Sequence, residues 1–165
     1  MTMRRAATEL VYLLLSTSLA IAADNFPDRL VGKDLCAAAN EYHVNGSFVP
    51  FGKDPTAFLF GDVSADGRRY VLVVKRTGPN ERCGEIVAAM EVPCPLHRKT
   101  FDSMGFNCAV LEQPYDRHKA YLGIYEANAL EYTAAKIAWA FDFTTRTFTA
   151  YERANNVYCA NFVAD

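Results

Sequence analysis

Ile137-Ala-Trp-Ala-Phe-Asp-Phe143 alternates large apolar residues with small or polar ones, passes through Thr144-Thr145-Arg146, and returns as Thr147-Phe-Thr-Ala-Tyr151. A period of two puts Ile137, Trp139, Phe141 and Phe143 on one strand face, so the stretch predicts a β-hairpin. The same grammar recurs upstream. Residues 56–61 and 69–75 are strand-like runs around Ser64-Ala65-Asp66-Gly67, whose Asp-Gly pair suits a tight hairpin turn. Residues 84–92 place Ile86, Ala88, Met90 and Val92 on the face that carries Cys94, and Phe106, Cys108 and Val110 share a face of the next strand. Residues 119–126 form a further strand with Ala120, Leu122 and Ile124 toward the core, and residues 157–162 a last edge strand. Residues 128–135 fit helix and strand equally.

Ahead of these runs, residues 34–43 predict the one helix. Asp34 is the N-cap, Ala37 to Ala39 favour helix, Leu35, Ala39 and Tyr42 share the buried stripe, and Asn45-Gly46 is the stop. The fold class is therefore α+β and β-rich: one N-terminal helix, then about six or seven mainly antiparallel strands in a sandwich or barrel. With 51% hydrophobic and 22% charged residues, the chain has the composition of a folded domain rather than a disordered one.

The N-terminus reads as an export signal. Arg4-Arg5 is a basic n-region, residues 10–22 are an apolar h-region, and Ala20-Ile21-Ala22 supplies a small-x-small cleavage pattern. The expected division is a signal peptide over residues 1–23 and a single exported, disulfide-stabilised domain over residues 24–165. The apolar run falls short of the roughly 20 residues of a spanning helix, and no later stretch is long enough, so no membrane span is expected after cleavage. Losing Arg4, Arg5 and Glu9 moves the formal net charge of -2 to -3. That slightly acidic balance argues against nucleic acid as a partner. Arg68, Arg69, Lys75, Arg76 and Arg82 are interleaved with Asp62, Asp66, Glu81 and Glu85, the pattern of a solvated mixed-charge face.

All five cysteines follow the leader, and an oxidising compartment directs them to disulfides. An extended strand from Cys83 to Cys94 would hold those two about 35 Å apart at about 3.3 Å per residue, beyond bridging distance. Cys94 and Cys108 flank a short excursion between two strands and are expected to pair. Cys36 and Cys159 would then tie the N-terminal segment to the last strand, with Cys83 unpaired. Cys83, Cys94, His97 and Cys108 are nominally a zinc set, but their spacing lacks the two close pairs of structural sites. Asp62, Ser64, Asp66 and Gly67 match the opening of a calcium loop, yet its twelfth position is Val73 and strands flank it, so a hairpin turn is expected. No metal and no cofactor is expected.

Catalytic signals are sparse. Ser47, Ser64 and Ser103 sit in no Gly-x-Ser-x-Gly elbow, and no spacing joins His43, His97 or His118 to a nucleophile or acid. Asn45-Gly46-Ser47 is a glycosylation sequon. The strongest binding candidates are Tyr121 and Tyr125, placed on the face opposite Ala120, Leu122 and Ile124 and flanking Gly123, where a pair of rings would form a platform for a protein or glycan. The chain thus reads as a small exported binding domain, with an inhibitor of a secreted enzyme within that class. A small hydrolase whose acid/base pair is separated in sequence, or a structural envelope protein, are the alternatives.

Overall fold

The computed structural model describes residues 26–46, 48–51, 57–78, 83–93, 102–111, 113–114, 116–126 and 131–160. The first sheet holds β1 (His43–Val44), β2 (Val49–Phe51), β3 (Phe58–Ala65), β4 (Arg68–Arg76) and β5 (Gly84–Glu91). β1 and β2 lie in succession along one edge of β3, and β4 and β5 follow on the other side. β3 and β4 meet at Asp66 and Gly67, whose φ values of 51° and 73° are the left-handed pair of a two-residue hairpin turn. The hairpin expected from Asp-Gly is thus in place.

The second sheet holds β6 (Asp102–Val110), β7 (Lys119–Glu126), β8 (Tyr132–Ala134), β9 (Ile137–Asp142), β10 (Thr147–Ala150) and β11 (Val157–Ala160), in the order β10-β9-β7-β6-β11-β8. All described pairings in both sheets are antiparallel. The architecture is two multi-stranded antiparallel sheets with, among the described residues, one short α-helix, not the single closed barrel or sandwich expected from strand spacing. Phe60, Val71 and Val73 of the first sheet meet Leu122, Ile124 and Phe141 of the second in one buried cluster. The outer face of the first sheet is covered too, by Phe26, Leu30, Leu35 and Ala38 over Leu72, Val74 and Ile86. Double coverage explains why Tyr70-Val-Leu-Val-Val74 is apolar without alternation, since both of its faces are buried.

The helix is displaced from its expected position. α1 spans Phe26–Leu30, with Pro27 in its first turn, where a missing N–H costs nothing. Asp34 makes a β-bridge with Glu85 and residues 35–40 form turns instead. Asp34 does accept the N–H groups of Cys36 and Ala37, as an N-cap would, at 2.9 and 3.1 Å. The preceding backbone, however, is committed to the free edge of β5, through Gly32 N–H to Ile86 O (2.7 Å), Ile86 N–H to Lys33 O (2.9 Å) and Leu35 N–H to Gly84 O (2.8 Å).

That edge pairing also corrects the expected disulfides. It brings Cys36 beside Cys83, and the two are bonded with Cα atoms 5.4 Å apart. Cys108 is bonded to Cys159, its direct partner in the register of β6 and β11. Neither Cys94–Cys108 nor Cys36–Cys159 forms, and Cys83 is not free. The error lay in pairing β5 with β6, which belong to different sheets. A bulge on β5 moves the alternation as well: Ile86 packs on the outer face, while Val87 and Ala88 join the inner cluster. Cys94 lies outside the described residues, as do His97, Ser47, Arg82 and residues 1–25. β11 is an interior strand between β6 and β8 rather than an edge.

Candidate binding surface

Gly105 and Gly123 face each other across β6 and β7. Their missing side chains leave a depression that Cys159 occupies: a Cβ on Gly105 would stand 2.7 Å from the Cys159 Cβ, and one on Gly123 would stand 2.9 Å from its sulfur. β11 crosses there and carries β8 with it, so the outer face of β7 is covered. Tyr125 is 4% exposed under this cover and donates its hydroxyl to the Ala160 carbonyl at 3.2 Å. Burial pushes its phenol above the ordinary value, partly offset by a hydrogen bond with Ser103. Tyr121 stays half-buried, stacked edge-on against Tyr151 at 5.6 Å between ring centroids. The two expected platform residues therefore share a strand face but not an exposed surface.

A different pair of tyrosines faces outward, Tyr132 exposed and Tyr158 half-buried. On β11, Val157 and Cys159 point inward, so Tyr158 between them points out. It pairs with Ala109 of β6 on one side and Ala134 of β8 on the other. Tyr132 sits opposite Ala160 and is 56% exposed, and Leu111, just past β6, is 52% exposed. Alanines between the rings keep this face low, and Ala109, Val110, Leu111, Tyr132 and Tyr158 line one shallow groove.

Ala109 and Val110 also border a cavity of about 140 Å³ whose other walls include Phe51, Gln113, Asp116 and Tyr121. The Gln113 amide donates to the Tyr151 hydroxyl at 3.1 Å, which ties the loop after β6 to the aromatic pair. The Tyr121 phenol is raised by burial first, then by Tyr151 and by the Asp116 carboxylate. Groove and cavity share Ala109 and Val110 at the end of β6. The cavity is below the roughly 300–1,000 Å³ of cofactor or drug-sized pockets, and suits a single side chain.

The remaining candidates resolve into structural roles. Asp62 is buried and held by Arg69, whose Nε reaches its two oxygens at 2.8 and 2.9 Å, and by Asn45 Nδ2 at 2.9 Å. Ser64 in turn donates to Asn45 Oδ1 at 2.7 Å. Of the residues that match a calcium loop's opening, Asp62 and Ser64 thus serve an ion-paired knot beside the hairpin turn at Asp66, and the side-chain nitrogen of Asn45 is engaged in it. Arg68 pairs with Glu91 at 3.1 Å, as expected of a mixed-charge face. Asp34, Cys36 and Cys83 bring three potential metal-ligating atoms within 4.8 Å of one another. Two of these are the sulfurs of a disulfide, which offers no thiolate to a cation. The same bond removes Cys83 as a nucleophile. His118 accepts a hydrogen bond from Arg117 at 3.2 Å, and His43 lies opposite Ser64 on a strand pair.

Sequence reasoning missed Leu111, Tyr132 and Tyr158. The signal for Tyr158 was its alternation with Val157 and Cys159, which becomes readable only once Cys159 is placed inward against Gly105. No family model matches this chain, and no curated protein or solved structure matches it either.

Proposed function

We propose that this is an exported, disulfide-stabilised binding domain that docks a partner protein on the surface formed by Leu111, Tyr132 and Tyr158. The observation that carries the reading is that Leu111 and Tyr132 are each more than half exposed beside a half-buried Tyr158. Large apolar and tyrosine side chains grouped on a flat strand face are the usual anchors of protein interfaces, because they remove much area from water at little entropic cost. A glycan site would add convergent polar side chains around the rings, whereas the residues between these rings are alanines. Inhibition of a secreted enzyme is one form such docking takes. The leader over residues 1–23 and the two disulfides support an exported location, periplasmic or extracellular. Among the described residues no helix is long and apolar enough to cross a membrane.

The test is affinity capture from the source's own secreted or periplasmic fraction, comparing the native chain with Tyr132→Ser/Tyr158→Ser. A protein retained by the native chain and lost from the variant is expected. Equal retention by both overturns the proposal, as does binding to a glycan array with no protein retained.

A further inference from the structure

We propose that the cavity bounded by Phe51, Val110, Tyr121 and Asp116 receives the lysine or arginine side chain of the docking partner. The inference rests on the reading of the adjoining tyrosine surface as a protein-binding face, and adds the chemistry of the residue that enters it.

Three features select a cationic side chain. The first is shape: about 140 Å³ is room for one side chain, and the cavity shares Ala109 and Val110 with the shallow groove. The second is the wall. Phe51 and Val110 are buried apolar residues and Tyr121 contributes a half-buried ring, so the methylene stem of Lys or Arg gains contact there while its charge stays at the mouth. The Tyr121 ring also offers a cation an attractive face.

The third feature is charge. Asp116 is the only charged side chain lining the cavity among the described residues. Its Oδ1 accepts the His118 N–H at 2.9 Å, which fixes the carboxylate. Its Oδ2 has Lys119 Nζ at 4.0 Å, the outer limit of an ion pair. A closer ammonium or guanidinium would form the charge-assisted hydrogen bond that Lys119 at this distance does not. A partner's carboxylate would meet Asp116 with like charge, and a neutral apolar side chain would leave it unused.

The experiment titrates isotopically labelled protein, produced with its leader so that processing is native, with n-butylammonium and n-butylguanidinium chloride as side-chain mimics. n-Pentanol and butyrate are the neutral and anionic controls. Both cations are expected to give saturable amide shifts at Val110, Gln113 and Tyr121, pentanol much weaker ones and butyrate none. Asp116→Asn, which keeps the oxygen that accepts from His118, is expected to weaken the cations about tenfold, the equivalent of about 1.4 kcal/mol. Pentanol shifts equal to those of the cations, absence of saturable cation shifts, or unchanged cation affinity in Asp116→Asn would each overturn the assignment. The probe comparison on the native chain decides the matter even where the variant does not fold. Failure of the cations, with capture still lost in Tyr132→Ser/Tyr158→Ser, refutes the cavity assignment and leaves the docking surface standing.

Discussion

At the scale of single residues, the placement of Cys159 does more to shape the candidate surface than either of its tyrosines. Its side chain fits only because Gly105 and Gly123 are paired beneath it, and its neighbour Tyr158 consequently faces outward. A methyl group at Gly105 would meet Cys159 Cβ at 2.7 Å, its sulfur at 2.9 Å and Tyr125 Cε1 at 3.0 Å. None of these neighbours moves freely, since Cys159 is bonded to Cys108 and the Tyr125 hydroxyl is held by Ala160. Gly105→Ala is therefore expected to lose about 1–3 kcal/mol of stability through overpacking, measured by denaturant unfolding. Unchanged stability would mean that β11 does not cross these glycines. This packing was not legible in the sequence: a glycine within a strand signals a close approach without saying what approaches.

At the scale of elements, the hairpins were legible and their partners were not. Strand alternation and turn chemistry act over a few residues, so β3–β4 and β9–β10 follow directly from Asp66-Gly67 and from the run ending in Phe143. The assignment of β5 and β6 to separate sheets depends on contacts far apart in sequence, and the bulge at Val73/Val74 reverses a face assignment that simple alternation would fix. The helix expected over residues 34–43 failed for the same reason: its propensity was outweighed by edge pairing with β5 and the bond to Cys83.

The β9–β10 turn carries a pH dependence of its own. Asp142 Oδ1 accepts the N–H groups of Thr145 and Thr144 at 3.0 and 2.8 Å, which hold its carboxyl below the ordinary 3.8. A depressed pKa means that the folded turn favours the charged form. The stabilisation is present above about pH 4 and is lost as pH falls through the lower folded value. Amide shifts of Thr144 and Thr145 are expected to titrate together with a midpoint below the ordinary 3.8, and the Asp142→Asn chain to lack that transition. Titration of these amides at the ordinary aspartate value would show that the carboxyl is not held by the turn.

At the scale of the whole molecule, the two disulfides secure different things. Cys36–Cys83 fastens the N-terminal segment to the β5 edge of the first sheet, and Cys36 is exposed; Cys108–Cys159 is buried beneath the proposed docking surface. Each closes a loop of about 50 residues, a restriction on the unfolded chain of about 4 kcal/mol by loop-closure entropy. Thiol attack needs access to sulfur, so brief treatment with a mild reductant followed by alkylation is expected to label Cys36 and Cys83 well before Cys108 and Cys159. Peptide mass spectrometry reads the order, and simultaneous labelling would contradict the difference in burial. Strand alternation and cysteine content anticipated a β-rich, disulfide-bonded chain. The connectivity was hidden because it follows from sheet membership rather than from spacing.

The central claim is that a partner protein docks around the end of β6. Hydrogen exchange of the captured complex against the free chain tests it most directly. Slowed exchange centred on residues 108–111, 132–134 and 157–160, with β3 to β5 unchanged, is the predicted footprint. Protection that falls instead on β3 to β5, leaving those segments unaltered, would contradict it.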